Sequence, residues 1–428
     1  MQYPSWDPYN VPVVSYLPRI VDIELAARLK ANGAVVIEGP KACGKTETAR
    51  QQAASEVLLD VDVAAQRAAA IDPGLILDGA TPRLIDEWQI VPAVWNHVRR
   101  EVDSRAEPGQ FVLTGSATPA DDATRHTGGL RFGRVQMRPM TLAELGRSTG
   151  VISLKALLEG EPSRSPETTL TIQDLVEEVV RGGWPGIRHL AVEDAARALR
   201  DYLDRIRRAD IEAVDGVRRD PERVQSVLRS LARNVGTQAA LTKIAADAAA
   251  PGSTVTDDTV AEYLTALTRL MIVEDLRAWN THLRSSHQLR RTPTRHFVDP
   301  SLAVAALHAG PATLLQDLNA FGLLFESLVV RDLRVYAQPF DGEVFHYRDQ
   351  SDLEVDAIVD TGERWAAFEV KLGASQVDYA ASSLARFAAR VDTAKRGEPA
   401  LLGVIVGSGY GYVRDDGIHV IPVGALGP

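Results

Sequence analysis

The chain has 428 residues, 45 % hydrophobic and 24 % charged, which is an ordinary composition for a globular protein and a length that predicts two or three domains. Its single cysteine excludes an intramolecular disulfide and a cysteine-based zinc site, and its net charge of −10 argues against a protein that coats nucleic acid over its whole surface. No apolar run reaches the ~20 residues of a membrane span, and the N-terminal residues lack the features of a secretory signal. We therefore expect a cytoplasmic protein that does not act at a membrane.

The first predicted strand, Ala34–Glu38, leads into G-P-K-A-C-G-K-T at residues 39–46 and then into a helical pattern. This is the G-x-x-x-x-G-K-T pattern of a phosphate-binding loop, in which backbone N–H groups and the lysine contact phosphates and the threonine hydroxyl binds Mg²⁺. The residues predicted to bind ATP, with Thr46 also a metal ligand, are Gly39, Pro40, Lys41, Ala42, Cys43, Gly44, Lys45, Thr46 and Glu47. A glycine-rich turn that merely carries Lys-Thr is the alternative, which the flanking strand and helix argue against.

An acidic pair, Asp86 and Glu87, ends a short apolar run further along the chain. Asp86 is predicted to take part in the Mg²⁺ shell, and Glu87 is predicted to polarise the water that attacks the γ-phosphate. An isolated Asp-Glu pair would more simply be a solvated strand end. The phosphate-binding loop upstream favours the catalytic interpretation.

The next predicted strand, Gln110–Thr114, is followed by a second hydroxyl at Ser116, and another strand begins near Arg134. Thr114 and Ser116 are candidates for sensing the γ-phosphate, although serine and glycine also form ordinary turns. Arg134 is a candidate arginine finger that reaches the nucleotide of a neighbouring subunit, with a surface ion pair as the alternative. A finger supplied in this way requires a homo-oligomer.

Residues 1–150 alternate strand and helix patterns, which predicts a parallel sheet covered by helices. Residues 151–200 read as a helical linker or lid. Residues 201–300 contain a helix, a turn, a second helix over 256–270 and a strand, the order of a winged-helix-like domain. Arginines without acidic neighbours over 277–296 suggest a basic wing that contacts DNA, and a solvated face is the alternative.

Residues 301–428 carry a second set of candidate catalytic side chains. Asp356 and Glu369 lie thirteen positions apart on predicted strands, with Lys371 two positions later, the spacing of the PD-(D/E)XK nuclease core. Glu369 and Lys371 share one strand face. Asp356 and Glu369 are predicted to hold a second Mg²⁺ or Mn²⁺, with Glu326 as a further acid and Lys371 positioning the attacking water. An inert fold in which Lys371 forms a plain ion pair is the alternative.

Together these motifs resemble the bacterial and archaeal AAA-type ATPases that carry a C-terminal domain of unknown function. The residues that carry the resemblance are the phosphate-binding loop, Ile85-Asp86-Glu87-x-Gln89-x-x-Pro92, Leu113-Thr114-Gly-Ser116, Gly133-Arg134 and Arg181-Gly-Gly-Trp-Pro-Gly186. The resemblance spans nearly the whole chain, and Trp88 departs from the aliphatic residue that is more usual there.

The resemblance implies an α/β protein with an AAA-type P-loop domain, a winged-helix-like middle and a restriction-endonuclease-like C-terminal domain. The expected function is Mg²⁺-dependent ATP hydrolysis coupled to a nuclease-like domain that acts on DNA. A nucleotide-controlled scaffold that grips nucleic acid or a protein partner without cutting is the first alternative. A protein in which bound nucleotide is only structural is the second.

Overall fold

The N-terminal part of the chain forms a parallel sheet flanked by helices. The structure is a computed structural model that describes residues 16–115, 128–249, 255–280 and 292–428. In this first part the described elements are α1 Val21–Ala31, β1 Ala34–Glu38, α2 Lys45–Arg50, β2 Ser55–Leu58, α3 Val63–Ile71, β3 Arg83–Asp86, α4 Val94–Arg105, β4 Phe111–Gly115 and β5 Phe132–Gln136. The strand order is β2-β3-β4-β1-β5, with every pairing parallel.

This strand order brings distant residues to one edge of the sheet. Strands β1 and β4 are buried along nearly their whole length, as expected for central strands of a parallel sheet that is covered on both faces. Because all strands run the same way, the loop after β1, Asp86 at the end of β3 and Thr114 near the end of β4 meet at the carboxyl edge. The predicted strand over 57–62 is shifted to β2, because the Asp62 side chain accepts a hydrogen bond from Ala65 N and caps α3.

The middle of the chain is mainly helical. Its described elements are β6 Ile152–Ser153, α5 Leu154–Leu158, α6 Ile172–Arg181, α7 Val192–Arg205, α8 Ile211–Ala213, α9 Pro221–Arg233, α10 Leu241–Ala248, α11 Asp257–Arg269, β7 Val273–Leu276, β8 Thr294–Phe297 and α12 Pro300–Leu307. A π-helical turn, Ile206–Asp210, joins α7 to α8. Helices α10 and α11 pack on each other and on α9, and β7 pairs antiparallel with β8.

This helix–helix–strand order is compatible with the winged-helix-like prediction, which stays a prediction. Thr256 caps α11 by accepting a hydrogen bond from Thr259 N, as the Thr/Asp cluster predicts. Of the predicted basic wing, residues 281–291 lie outside the described ranges.

The C-terminal part contains a mixed sheet between two helices. Its described elements are α13 Pro311–Gln316, α14 Leu318–Ala337, β9 Glu343–Arg348, β10 Glu354–Asp360, β11 Trp365–Lys371, α15 Val377–Ala388, α16 Thr393–Arg396, β12 Leu401–Val406, β13 Tyr412–Val413, β14 His419–Pro422 and β15 Leu426–Gly427. The sheet order is β13-β14-β12-β11-β10-β9, antiparallel from β9 to β11 and parallel from β11 through β12 to β14. Phe368 of β11 packs in the core that contains α14, and Ala367 packs in the core that contains α15, so the two helices cover opposite faces.

One hydrophobic core runs through the segments predicted as lid, middle and C-terminal domains. It includes Leu154 of α5, Val227 of α9, Leu302 of α12 and Val329 of α14. Strand β15 also pairs in parallel with β6, which ties the last residues of the chain to the start of the lid segment. In the described ranges, none of the helices is both long and apolar enough to span a membrane.

Candidate nucleotide site

The phosphate-binding loop lies at the carboxyl end of β1 and leads directly into α2. Gly44 adopts a left-handed φ of 102° just before Lys45 opens the helix. A Cβ on Gly39 would lie 2.4 Å from the carbonyl oxygen of Met137, so only glycine fits there. The two glycines therefore allow the loop to pass close to the residue that follows β5, as the motif requires.

Lys45 is held inside this loop by two backbone carbonyl groups. Its side chain is buried, and Nζ donates hydrogen bonds of 2.9 Å to both Gly39 O and Pro40 O. These carbonyl acceptors hold the ammonium against the start of the loop. A phosphate oxygen would be a stronger, charged acceptor for the same ammonium.

The acidic pair and the hydroxyls form one hydrogen-bonded group at the sheet edge. Thr46 Oγ1 donates to Asp86 Oδ1 at 2.8 Å, and Thr114 Oγ1 donates to the same oxygen in a short hydrogen bond. Glu87 N donates to Thr114 Oγ1 at 3.3 Å. Glu87 has a left-handed φ of 51°, and its carboxylate accepts a short hydrogen bond from Gln89 Nε2. Thr46 and Asp86 thus offer neighbouring hard oxygen atoms, the donor set that suits Mg²⁺.

A cleft of about 960 Å³ opens over the loop. Lys45, Thr46 and Glu87 line this cleft, and so do Arg188 and Tyr202. The volume is in the range of small-molecule sites.

Arg188 was not predicted from the sequence, although it follows the Gly-Gly-Trp-Pro-Gly motif at 182–186 by two positions. Within the described residues it forms no hydrogen bond or ion pair, so its guanidinium is available to a ligand in the cleft. Proximity to that motif is the only sequence signal that could have pointed to it.

The Gly-Gly-Trp-Pro-Gly motif forms part of the cleft wall through Pro185 and Gly186. A Cβ on Gly183 would lie 2.1 Å from the Met140 carbonyl oxygen, so the motif approaches the segment that follows β5 backbone to backbone. Gly183 N donates to Asp299 Oδ2 at 3.0 Å, and Trp184 Nε1 donates to Ser301 Oγ at 3.0 Å. These two hydrogen bonds therefore fasten the motif to the start of α12.

The same carboxylate connects this wall to α14. Arg331 NH1 donates to Asp299 Oδ2 at 2.7 Å, and Arg331 NH2 donates to Asp332 Oδ1 at 2.7 Å, with all three side chains at most 2 % exposed. Asp332 Oδ2 in turn accepts from Leu142 N at 3.1 Å. Burial raises the pKa of Asp332 and the nearby Arg331 opposes that rise. A fully buried ion network thus joins the nucleotide cleft to the long helix of the C-terminal part.

The other residues predicted for this site do not take part in the hydrogen bonds described above. Cys43 is completely buried, with Sγ 3.9 Å from Met137 O, and Glu47 is exposed. Arg134 lies on β5 with more than half of its side chain exposed and donates to Glu38 Oε1 at 3.3 Å. Ser116 lies outside the described residues.

The second predicted set of residues is also brought together. Lys371 Nζ lies 3.0 Å from Asp356 Oδ2 and 2.6 Å from Glu369 Oε2, and Val370 N donates to Asp356 Oδ2 at 2.7 Å. Burial, reinforced by the charge of Asp356, raises the pKa of Glu369 to about 8. Glu326 lies on α14, and burial together with the same charge raises its pKa well above its usual value.

Asp356, Glu369 and Lys371 form one ion-paired cluster. The Lys371 ammonium lies within ion-pair distance of both carboxylates that were predicted to share a cation. Among the described residues, no group of three or more His, Cys, Asp or Glu side chains is arranged to hold a metal ion. The predicted binding of a second Mg²⁺ or Mn²⁺ by Asp356 and Glu369 therefore stays a prediction, and the observed contacts are those of an ion pair.

Comparisons with known proteins divide the chain into three regions. Residues 31–146 match the family described as AAA domain (AAA_14). Residues 172–313 and 321–426 match two domains of unknown function, DUF8612 and DUF4143.

Whole-chain relatives are distant. An uncharacterized protein of Mycobacterium tuberculosis is 25 % identical over 341 residues, covering 79 % of this chain and 70 % of its own length, and an uncharacterized protein of Mycobacterium bovis gives the same values. A Walker-type ATPase of Pyrococcus abyssi overlaps with a TM-score of 0.41 at 13 % identity, covering 68 % of this chain and 96 % of that one.

The AAA match includes the phosphate-binding loop, Asp86, Glu87, Thr114 and Arg134. It confirms the predicted AAA-type ATPase domain at a coarse level. The comparisons assign no activity to the two regions that follow. Residues 31–146 of the chain are therefore similar to AAA domains.

Proposed function

We propose that the cleft binds ATP together with Mg²⁺ and hydrolyses the γ-phosphate. The observation that carries this proposal is the convergence of Lys45, Thr46, Asp86 and Glu87 from separate elements onto one edge of the sheet, beside one cleft. A solvated acidic strand end would not be tied to the loop threonine in this way.

The binding step follows from groups that are already in place. Lys45 would exchange Gly39 O and Pro40 O for phosphate oxygens, and the loop N–H groups would donate to the same phosphates. Mg²⁺ held by Thr46 and Asp86 would neutralise phosphate charge when it is bound.

For hydrolysis, Glu87 would orient the attacking water and accept its proton. The hydrogen bonds of Thr114 run to Asp86 and to the Glu87 backbone, so we assign Thr114 the positioning of this acidic pair. Arg134 remains the proposed finger in trans within a homo-oligomer, because its exposed side chain leaves it accessible to a second copy. Arg188 would add a cation from the same chain.

Two variants test this function by calorimetry and phosphate release. Lys45→Ala is expected to lose ATP binding, and Glu87→Gln is expected to keep ATP binding but turn over at least ~100-fold more slowly. Lys155→Ala, an exposed lysine on α5, is the matched control and should behave as wild type. Unchanged ATP affinity in Lys45→Ala, or undiminished turnover in Glu87→Gln, would contradict the assignment.

For the C-terminal part, we propose a role that is governed by nucleotide, and two candidates are considered for it. The sheet order and the convergence of Asp356, Glu369 and Lys371 support a nuclease-like fold, which is the first candidate. The ammonium between the carboxylates favours the second candidate, a scaffold that holds DNA or a protein partner without cutting it.

A cleavage assay separates the two candidates. Plasmid and single-stranded DNA are incubated with Mg²⁺ or Mn²⁺, with and without ATP, comparing wild type with Asp356→Ala and Lys371→Ala. Cleavage lost in both variants would establish the nuclease. DNA retention without cleavage under every condition would establish a DNA-holding scaffold.

A further inference from the structure

The phosphate-binding loop contains a second lysine that is not used by the motif itself. Lys41 lies four positions before Lys45 and also lines the cleft. Its Nζ lies 2.6 Å from Oδ1 of Asp210, a residue of the π-helical turn after α7. Lys41 therefore has a carboxylate partner from a segment 169 positions away along the chain.

The two members of this ion pair differ in their freedom to move. The Asp210 side chain is 8 % exposed, whereas the Lys41 side chain is 39 % exposed. Tyr202 OH donates to Lys41 O at 3.3 Å, which holds the lysine backbone against the same segment. The carboxylate is thus the enclosed member of the pair and the lysine side chain the more exposed one, and both residues line the cleft.

ATP brings several negative charges into the cleft that both groups line. A buried carboxylate there repels phosphates, while an ammonium attracts them. A partly exposed ion pair is a weak competitor, because such pairs contribute at most about 1 kcal/mol. A charge-assisted hydrogen bond to a phosphate oxygen is stronger.

We propose that Lys41 is a second phosphate-binding cation of this cleft and that Asp210 is its positioning residue, which holds the ammonium until ATP replaces the carboxylate. The inference rests on the proposed ATP binding at the same loop. Arg205, whose Nε lies 3.9 Å from Asp210 Oδ1, faces the same carboxylate and would keep it paired after the exchange.

A double-mutant cycle on ATP affinity tests the exchange. Lys41→Gln is expected to weaken ATP binding about tenfold, and Lys41→Arg should restore most of it. Asp210→Asn, which keeps the shape of the side chain, should tighten ATP binding about fivefold, equivalent to ~1 kcal/mol, because Lys41 no longer has a competing partner. In the Lys41→Gln background the same Asp210→Asn change should have a clearly smaller effect, limited to relief of the carboxylate's own repulsion of phosphate.

Two other results for Asp210→Asn would contradict the proposed exchange of carboxylate for phosphate. Equal tightening by Asp210→Asn in both backgrounds would mean simple repulsion of phosphate by the carboxylate. Weaker ATP binding in Asp210→Asn would mean that the pair only fastens α7 to the loop. Asp194→Asn, an exposed ion-paired aspartate on α7, is the matched control and should keep wild-type affinity.

The measurements distinguish a wrong role for Lys41 from a wrong assignment of the ATP site. If wild type binds ATP and Lys45→Ala does not, the site stands whatever the cycle shows for Lys41. Absence of ATP binding in wild type would overturn both.

Discussion

The Glu369 carboxyl is expected to make the protein less stable as the pH rises from 6.5 to 8. Burial and the Asp356 charge raise its pKa from 4.5 to about 8 in the folded state, so the folded protein holds a proton that the unfolded chain releases above pH 4.5. This stabilisation is complete below pH 4.5 and is lost as the pH approaches 8. Each pH unit within this interval removes ~1.4 kcal/mol, which gives a loss of ~2 kcal/mol between pH 6.5 and 8.

The chosen interval separates this effect from two buried histidines. Burial lowers the pKa of His296 to about 3 and that of His346 to about 4, both from 6.5. For these groups the unfolded chain binds more protons, so they reduce stability only as the pH falls below 6.5. Glu326, whose pKa is also raised, acts in the same direction as Glu369.

The assay is urea unfolding followed by tryptophan fluorescence, because Trp279 and Trp365, the first residue of β11, are buried in the core that contains α15. The loss between pH 6.5 and 8 should be ~2 kcal/mol smaller in Glu369→Gln than in wild type, since glutamine does not titrate while Glu326 contributes to both proteins. Glu354→Gln, an exposed carboxyl at the start of β10, is the control and should keep the wild-type slope. Parallel pH dependence in wild type and Glu369→Gln would refute the reasoning, and a slope abolished by Mg²⁺ or Mn²⁺ would show that the cluster opens to a metal.

Three further changes probe the cleft wall and its support. Arg331→Met should cost ~3–5 kcal/mol in chemical denaturation, because it leaves Asp299 buried without its cation, and a loss below ~1 kcal/mol would contradict the network. Gly183→Ala should destabilise the fold by ~1–3 kcal/mol, since its Cβ would meet a backbone oxygen at 2.1 Å. Gly186→Ala is the control and should be neutral, because its Cβ would point into open space. Equal unfolding midpoints for the two variants would disprove the close approach. Arg188→Gln should raise the KM for ATP about tenfold without changing the unfolding midpoint, and an unaltered KM would remove it from the site.

Local patterns predicted much of the N-terminal domain. Strand β1 has the predicted bounds Ala34–Glu38, because a continuous apolar run followed by a glycine loop permits few other conformations. Strand β2 was misplaced, since its end depended on a side-chain cap at Asp62 that competes with strand pairing. The acidic pair was located by its place after a short apolar run.

The sequence by itself determined the phosphate-binding loop, the parallel strands and the carboxylate–lysine spacing, because each depends on backbone conformation and periodicity within a few residues. Only the tertiary structure decided what these residues face. It placed the Lys371 ammonium between two carboxylates, brought Asp210 to Lys41 and put Arg188 on the cleft wall. Such contacts join residues far apart in the chain, and their partners are selected by packing and burial, which local patterns do not encode.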